Sequence, residues 1–310
     1  MNTKSLKNTA KDTLNAAVNA RQLMLLYVGV SLLLTVLCSA LDVLLQQQID
    51  TTGGLSGIGT RSILSTVQTL LHFVPSLLLP FWNMGYIYTT IRIARRENTQ
   101  LSDLTTGFRH FGAVIWLHFL QGLIYLLIGV VASYLLSAFL LFTGLAAPLM
   151  DTLRSFNANL SPEHFPQSLQ DAALPLFLGF LGLYLLLFLP IHYRLRLSSY
   201  FLMDDPEKGV IYAIISSFQH MRGNCLFMLR LDLSFLWFYI LEILIGFLCY
   251  GDVLANALGI SLPLSPTGAF FAFLGAYVLC QLGLYLWKKN YLSVTYACTY
   301  EALTQQPENP

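Results

Sequence analysis

Charge is what this sequence has least of. Only 11% of its 310 residues are Asp, Glu, Lys or Arg, against roughly 25% in an ordinary soluble domain. That excludes a water-exposed globule. The seventeen basic and sixteen acidic residues nearly cancel, so no basic face is available to neutralise phosphates and a nucleic-acid partner is excluded. The five cysteines, Cys38, Cys225, Cys249, Cys280 and Cys298, stand in apolar stretches without CxxC spacing. They read as small buried hydrophobes rather than a zinc site or a disulfide framework. HExxH, a phosphate-binding glycine loop and any cluster of metal-ligand residues are also missing. No metal, no cofactor and no enzymatic activity is therefore expected. The six histidines are scattered, as suits aromatic packing or interface anchoring.

What the chain has in abundance is apolar length: 55% of its residues are hydrophobic and its mean hydropathy is +0.62. A membrane crossing needs roughly 20 apolar residues. Six stretches qualify, near 22–46, 63–92, 112–145, 172–200, 225–249 and 268–290. The expected fold is an all-α polytopic membrane protein, one integral membrane domain over residues 1–310. The first apolar stretch, Arg21 to Gln46, exceeds the 7 to 15 residues typical of a signal peptide and reads as a retained span, although "CSA" at Cys38–Ala40 weakly resembles a cleavage site.

The cations sort with these spans. Fifteen fall on the side of both termini, and only Arg61 and Arg154 on the other. The positive-inside rule then puts both termini in the cytoplasm of a cell membrane. Each cytoplasmic segment also carries a helix with one apolar stripe, expected near 4–20, 101–111 and 205–222. In the third, Asp205 can cap, Pro206 suits the first turn, and Val210, Ile214, Phe218 and Met221 form the stripe. Such helices lie at the membrane interface. Interfacial helix, outgoing span and returning span recur about every 100 residues, suggesting a threefold parallel repeat. The same pattern also follows from any six spans with inside-positive loops.

The stretches "LKNTAKDTL", "LSDLTTGFRHFG", "DDPEKGVIYAIISSFQHMRGN", "LDLSF" and "YACTYEAL" together resemble a family of bacterial integral membrane proteins catalogued as domain of unknown function number nine hundred and seventy-five. The resemblance spans most of the chain and is distantly similar to the membrane portion of some glycerophosphodiester phosphodiesterases. Two positions depart from it: Leu236 precedes Trp237 where Gly is usual, and Asn290 precedes Tyr291 where Pro is usual. What the resemblance implies is a multi-span architecture without an established activity.

Two stretches hint at intramembrane proteolysis. "GLSG" at Gly54–Gly57 resembles the serine motif of rhomboid proteases, but a Gly-rich turn accounts for it. "YGD" at Tyr250–Asp252 resembles half of an aspartyl site, which would need a second carboxylate. Chemistry is better sought in charges at membrane depth. "RLDLSFLWFYILEIL" carries Arg230, Asp232 and Glu242. Arg230 and Asp232 are about 200° apart around a helix and need separate partners. If the apolar core starts at Leu231, both lie at the inner edge beside Arg194, Arg196 and Lys288, while Glu242 is central. Glu242 reads either as an acid hydrogen-bonded between helices or as a proton or cation site.

These six residues are the candidate site for a lipid or solute, and Lys289 beside Lys288 is a further contributor to a cytoplasmic-side basic pocket for a headgroup or an anionic solute. The expected function is a non-enzymatic bacterial membrane protein that binds membrane lipids, a peptide or a protein partner, or supports the envelope. The alternative is a transporter or permeation path for an ion or small solute.

Overall fold

The computed structural model describes residues 2–51, 58–142, 167–251 and 266–305. Most of the three expected outer loops, with Gly54–Gly57, Arg154 and Asp252, lie outside the described residues. The described residues hold no strand. The chain is an all-α polytopic protein. Its helices are α1 (Thr3–Ala16), α2 (Ala20–Thr51), α3 (Ile58–Ala94), α4 (Thr106–Arg109), α5 (Phe111–Phe142), α6 (Gln167–Leu195), α7 (Ser198–Asp204), α8 (Gly209–His220), α9 (Cys225–Leu233), α10 (Leu236–Gly246), α11 (Pro266–Leu284) and α12 (Asn290–Thr304). A single π turn, Tyr285–Lys289, joins the last two.

Among the described residues, five helical stretches are long and apolar enough to cross a membrane. Within their most apolar windows at most 22% of the residues are buried, so these helices present Leu, Phe and Val outward. Burial instead concentrates at one end, where α1, α7, α8 and α12 pack on the last turns of α3 and α6. We term this the packed layer. α12 is buried from Val294 to Tyr300. The expected last span stopped near residue 290, whereas the helix continues to Thr304 as a core element.

The fifth expected span, 225–249, is divided. Ser234 returns its hydroxyl to the Leu231 carbonyl at 2.5 Å, and the Phe235 N–H bonds the Asp232 carbonyl at 2.8 Å. The chain thereby tightens by one residue and α9 ends. At 1.5 Å per residue, the nine and eleven residues of α9 and α10 span about 14 and 17 Å, each short of a roughly 30 Å hydrocarbon core.

Helices occupy all three expected interfacial stretches. In α1, Asn2 caps through a 3.0 Å bond from the Lys4 N–H, and Leu6 and Ala10 are buried. At 101–109 a 3-10 turn, Leu101–Thr105, leads into α4. Asp103 there accepts the Gln100 N–H at 2.8 Å and a two-oxygen contact from Arg92 at 2.9 Å. The third differs from expectation in two ways. Asp205 makes no side-chain cap and instead pairs with Lys208 at 3.0 Å. The fully buried face is Val210, Ala213, Ser216 and Ser217, while Ile214 and Phe218 are half-buried. Small residues win because the Ser217 hydroxyl must reach the turn between α6 and α7. It donates to the Arg194 carbonyl at 2.6 Å and accepts the Leu197 N–H at 3.2 Å. Of the cysteines, Cys298 is buried as expected, but Cys280 is exposed on α11.

Candidate functional site

Asp232 anchors a polar knot. It sits at the end of α9, where the turn at Ser234 aims it toward the last turn of α6. Arg196 meets its Oδ2 in an ion pair. Tyr193 donates to the same oxygen at 2.8 Å, and Tyr296 donates to Oδ1 at 2.6 Å. The hydroxyls of Tyr239 and Tyr296 lie 2.6 Å apart, and the guanidinium carbon of Arg196 stands 4.5 Å from the Tyr296 ring centre. A desolvated ion pair is tolerable only when its remaining hydrogen-bonding capacity is filled, and the tyrosines do this. Four helices, α6, α9, α10 and α12, contribute to the knot.

Cavities flank it on two sides. One, of about 300 Å³, is lined by Arg196 and Lys289, by Tyr86, Tyr200, Tyr239 and Tyr296, and by Asn83, Thr90 and Ser293. No carboxylate lines it among the described residues. The other, of about 540 Å³ and more open, is lined by Gln121, Tyr125, His192, Arg196, Ser199 and Asp232. Arg196 and Tyr239 line both and form their common wall.

Glu242 lies apart from the knot. Tyr285 donates to its Oε1 at 2.7 Å, and Tyr27 and Lys289 lie within electrostatic reach. A hydrogen bond between α10 and the π turn thus holds it. Lys289 stands 5.1 Å from the Tyr285 ring centre and forms no ion pair among those described.

The structure therefore divides the six candidates. Arg196 and Asp232 meet; Glu242 is nearby on a different contact; Arg194, Arg230 and Lys288 do not join them. Arg194 and Arg230 are exposed. Lys288 faces away, 5.4 Å from the Tyr291 ring centre. The expected inner-edge cluster thus reduces to one pair, because proximity to the span edge fixes depth and not direction around the helix. Sequence reasoning had Lys289 as a contributor to a cytoplasmic-side basic pocket but left it out of the six, and it missed the hydroxyls of Tyr193, Tyr239 and Tyr296. For Tyr193 and Tyr296 the signal was present as aromatic, cationic and hydroxyl residues mixed at the ends of the returning spans, whereas Tyr239 lies inside the fifth expected span. Sequence reasoning also missed Asp42, which meets His72 at 3.2 Å between α2 and α3.

No group of three metal-ligand side chains is gathered among the described residues. The family model described as "Protein of unknown function (DUF975)" matches residues 1–307. The chain belongs to that family. Searches of curated proteins and of solved structures return no match, so the distant likeness to phosphodiesterase membrane portions gains no support from them. Within the family's matched span, "LDLSF" contains both Asp232 and Ser234, the acid of the knot and the residue that ends α9.

Proposed function

We propose that this DUF975 protein is a non-enzymatic integral protein of a bacterial cell membrane, with both termini in the cytoplasm. In this reading it binds an anionic ligand between Arg196 and Lys289. The ligand's shared chemistry is a phosphate or carboxylate, carried by an acidic lipid headgroup or by a free solute. One observation carries the reading: two cations and four tyrosines line a polar cavity that no described carboxylate enters. Asp232 already compensates Arg196, whereas Lys289 has no ion pair among those described. Oriented donors around an ammonium that makes no ion pair among those described, with Glu242 only at longer range, fit an anion's oxygens. The volume, about 300 Å³, lies at the small end of ligand sites and suits a headgroup better than a peptide.

Lys289→Gln separates this from a packing role. The expected result is at least about tenfold weaker binding of phosphatidylglycerol or of labelled inorganic phosphate by the purified protein, with size-exclusion behaviour unchanged. Loss confined to the lipid identifies a headgroup site, and loss confined to phosphate identifies a solute site. Unchanged binding of both probes, or binding of neither by the wild type, overturns the reading.

The acid Glu242, within electrostatic reach of the Lys289 that lines the smaller cavity, favours one second reading, a permeation path for an ion or small solute. In proteoliposomes, Glu242→Gln should then abolish a measured ion or proton flux while the protein stays folded. Unchanged flux removes Glu242 from such a path.

A further inference from the structure

A second cationic centre lies at the edge of the packed layer, built from chain segments 280 residues apart. Lys7 of α1 places its Nζ 4.0 Å from the Phe235 ring centre and 3.2 Å from the Ser234 carbonyl. That carbonyl belongs to the break between α9 and α10, so the ammonium of α1 acts as a cationic cap on the break. Tyr291 fixes the approach of α1 by donating to the Lys7 carbonyl at 3.2 Å. The ring of the same Tyr291 lies 5.4 Å from the Lys288 ammonium, which also stands 5.1 Å from the Trp287 ring. Tyr291 thus draws the two lysines together.

These two charges oppose one another. Burial first, and the nearby Lys288 charge second, hold the Lys7 ammonium below its ordinary value of 10.5. Neither lysine forms an ion pair among those described. Trp287, against Lys288, is 65% exposed, and Leu233 and Leu236, which flank the Ser234 and Phe235 that Lys7 contacts, and Leu286 are also exposed. Exposed tryptophans beside cations at the end of apolar helices mark the headgroup level of a bilayer. Paired ammoniums there lack a counter-ion, and a phosphate carried on an acyl tail would supply one while covering the leucines.

We propose that Lys7 and Lys288, flanked by Trp287, seat the headgroup of one acidic membrane lipid at the rim of the packed layer. This site shares no residue with the cavity between Arg196 and Lys289 and does not depend on it. The lipid's phosphate sits between the two ammoniums, and its tails run along the exposed leucines. Occupation would also tie α1 to the α9–α10 break.

Native mass spectrometry of the full-length protein in detergent tests this, with phosphatidylglycerol and phosphatidylcholine as probes. The wild type should retain one phosphatidylglycerol more than a Lys7→Gln, Lys288→Gln double variant, and the two should not differ in phosphatidylcholine. Lys288 makes no described hydrogen bond, so Lys288→Gln alone keeps the test clear of misfolding; it should weaken that lipid about fivefold. Lys288→Arg should restore binding, and Lys289→Gln should leave this lipid in place. Equal phosphatidylglycerol retention in Lys288→Gln and wild type overturns the proposal. So does retention of phosphatidylcholine by the wild type to the same extent as phosphatidylglycerol, or displacement of the lipid by inorganic phosphate alone.

Discussion

Arg95 shows how single side chains hold the packed layer. Its guanidinium makes a two-nitrogen contact with Asp204 at 2.6 and 2.9 Å and a third bond to Glu301 at 2.7 Å. Tyr300 adds a 2.8 Å bond to Asp204. The hydrogen bonds to Asp204 lead in raising the Arg95 pKa, against the opposing effect of burial. Removing the arginine leaves two carboxylates facing one another. Because the group is about a third exposed, solvent screens part of the loss. Arg95→Ala should cost about 2 kcal/mol, read as a lower thermal midpoint in detergent. Arg95→Lys should recover less than half of it, since an ammonium cannot reproduce the fork. A midpoint equal to wild type in Arg95→Ala would remove this network from the account of stability. None of these partners was legible in the sequence, because Asp204 and Glu301 lie 109 and 206 residues from Arg95. Charge sorting across spans gives the side of the membrane a residue occupies; it carries no information about which distant acid meets it. For the same reason Asp232 and Arg196 were both singled out but grouped with three cations that point elsewhere.

At the scale of elements, two glycines set how closely helices approach. A Cβ on Gly85 of α3 would stand 1.8 Å from the Leu104 carbonyl oxygen, and one on Gly107 of α4 would stand 2.0 Å from that of Phe81. The contacts are reciprocal, backbone on backbone, and no side-chain rotation relieves them. Gly85→Ala should therefore destabilise by about 3 kcal/mol, more than Ala at Gly129, where the nearest atom is a Tyr184 ring carbon at 3.9 Å. Comparable thermal midpoints for the two variants would contradict the close approach. Helix positions were largely legible, because apolar runs of this length admit few alternatives. The division at Ser234 was not. Leu, Phe and Trp on both sides of it are compatible with one continuous span, and the break is marked by a serine returning its hydroxyl to the Leu231 carbonyl and by the distant Lys7 meeting the Ser234 carbonyl. The expected stripe of the third interfacial helix is buried at Val210 and Met221 but not fully at Ile214 and Phe218: its partner is a turn that needs a hydroxyl, so Ser217 outranks Phe218.

Over the whole molecule, the apolar lengths, the family membership and the burial pattern form one picture. Five long helices expose their apolar faces, while polar chemistry gathers in and beside the packed layer. There it is arranged as a satisfied knot around Asp232, with Lys289 opening into the cavity beside it. The knot explains why charges can sit near the ends of apolar segments at all. The cavity is the part that invites a ligand, and its occupancy is the central claim. The most direct measurement is a cryo-EM structure of the protein in lipid nanodiscs containing phosphatidylglycerol, with co-purified small molecules identified by mass spectrometry. The account predicts density for a phosphate or carboxylate within hydrogen-bond distance of Arg196 and Lys289. A cavity filled by water alone, or closed by Lys289 turning to pair with Glu242, would contradict it.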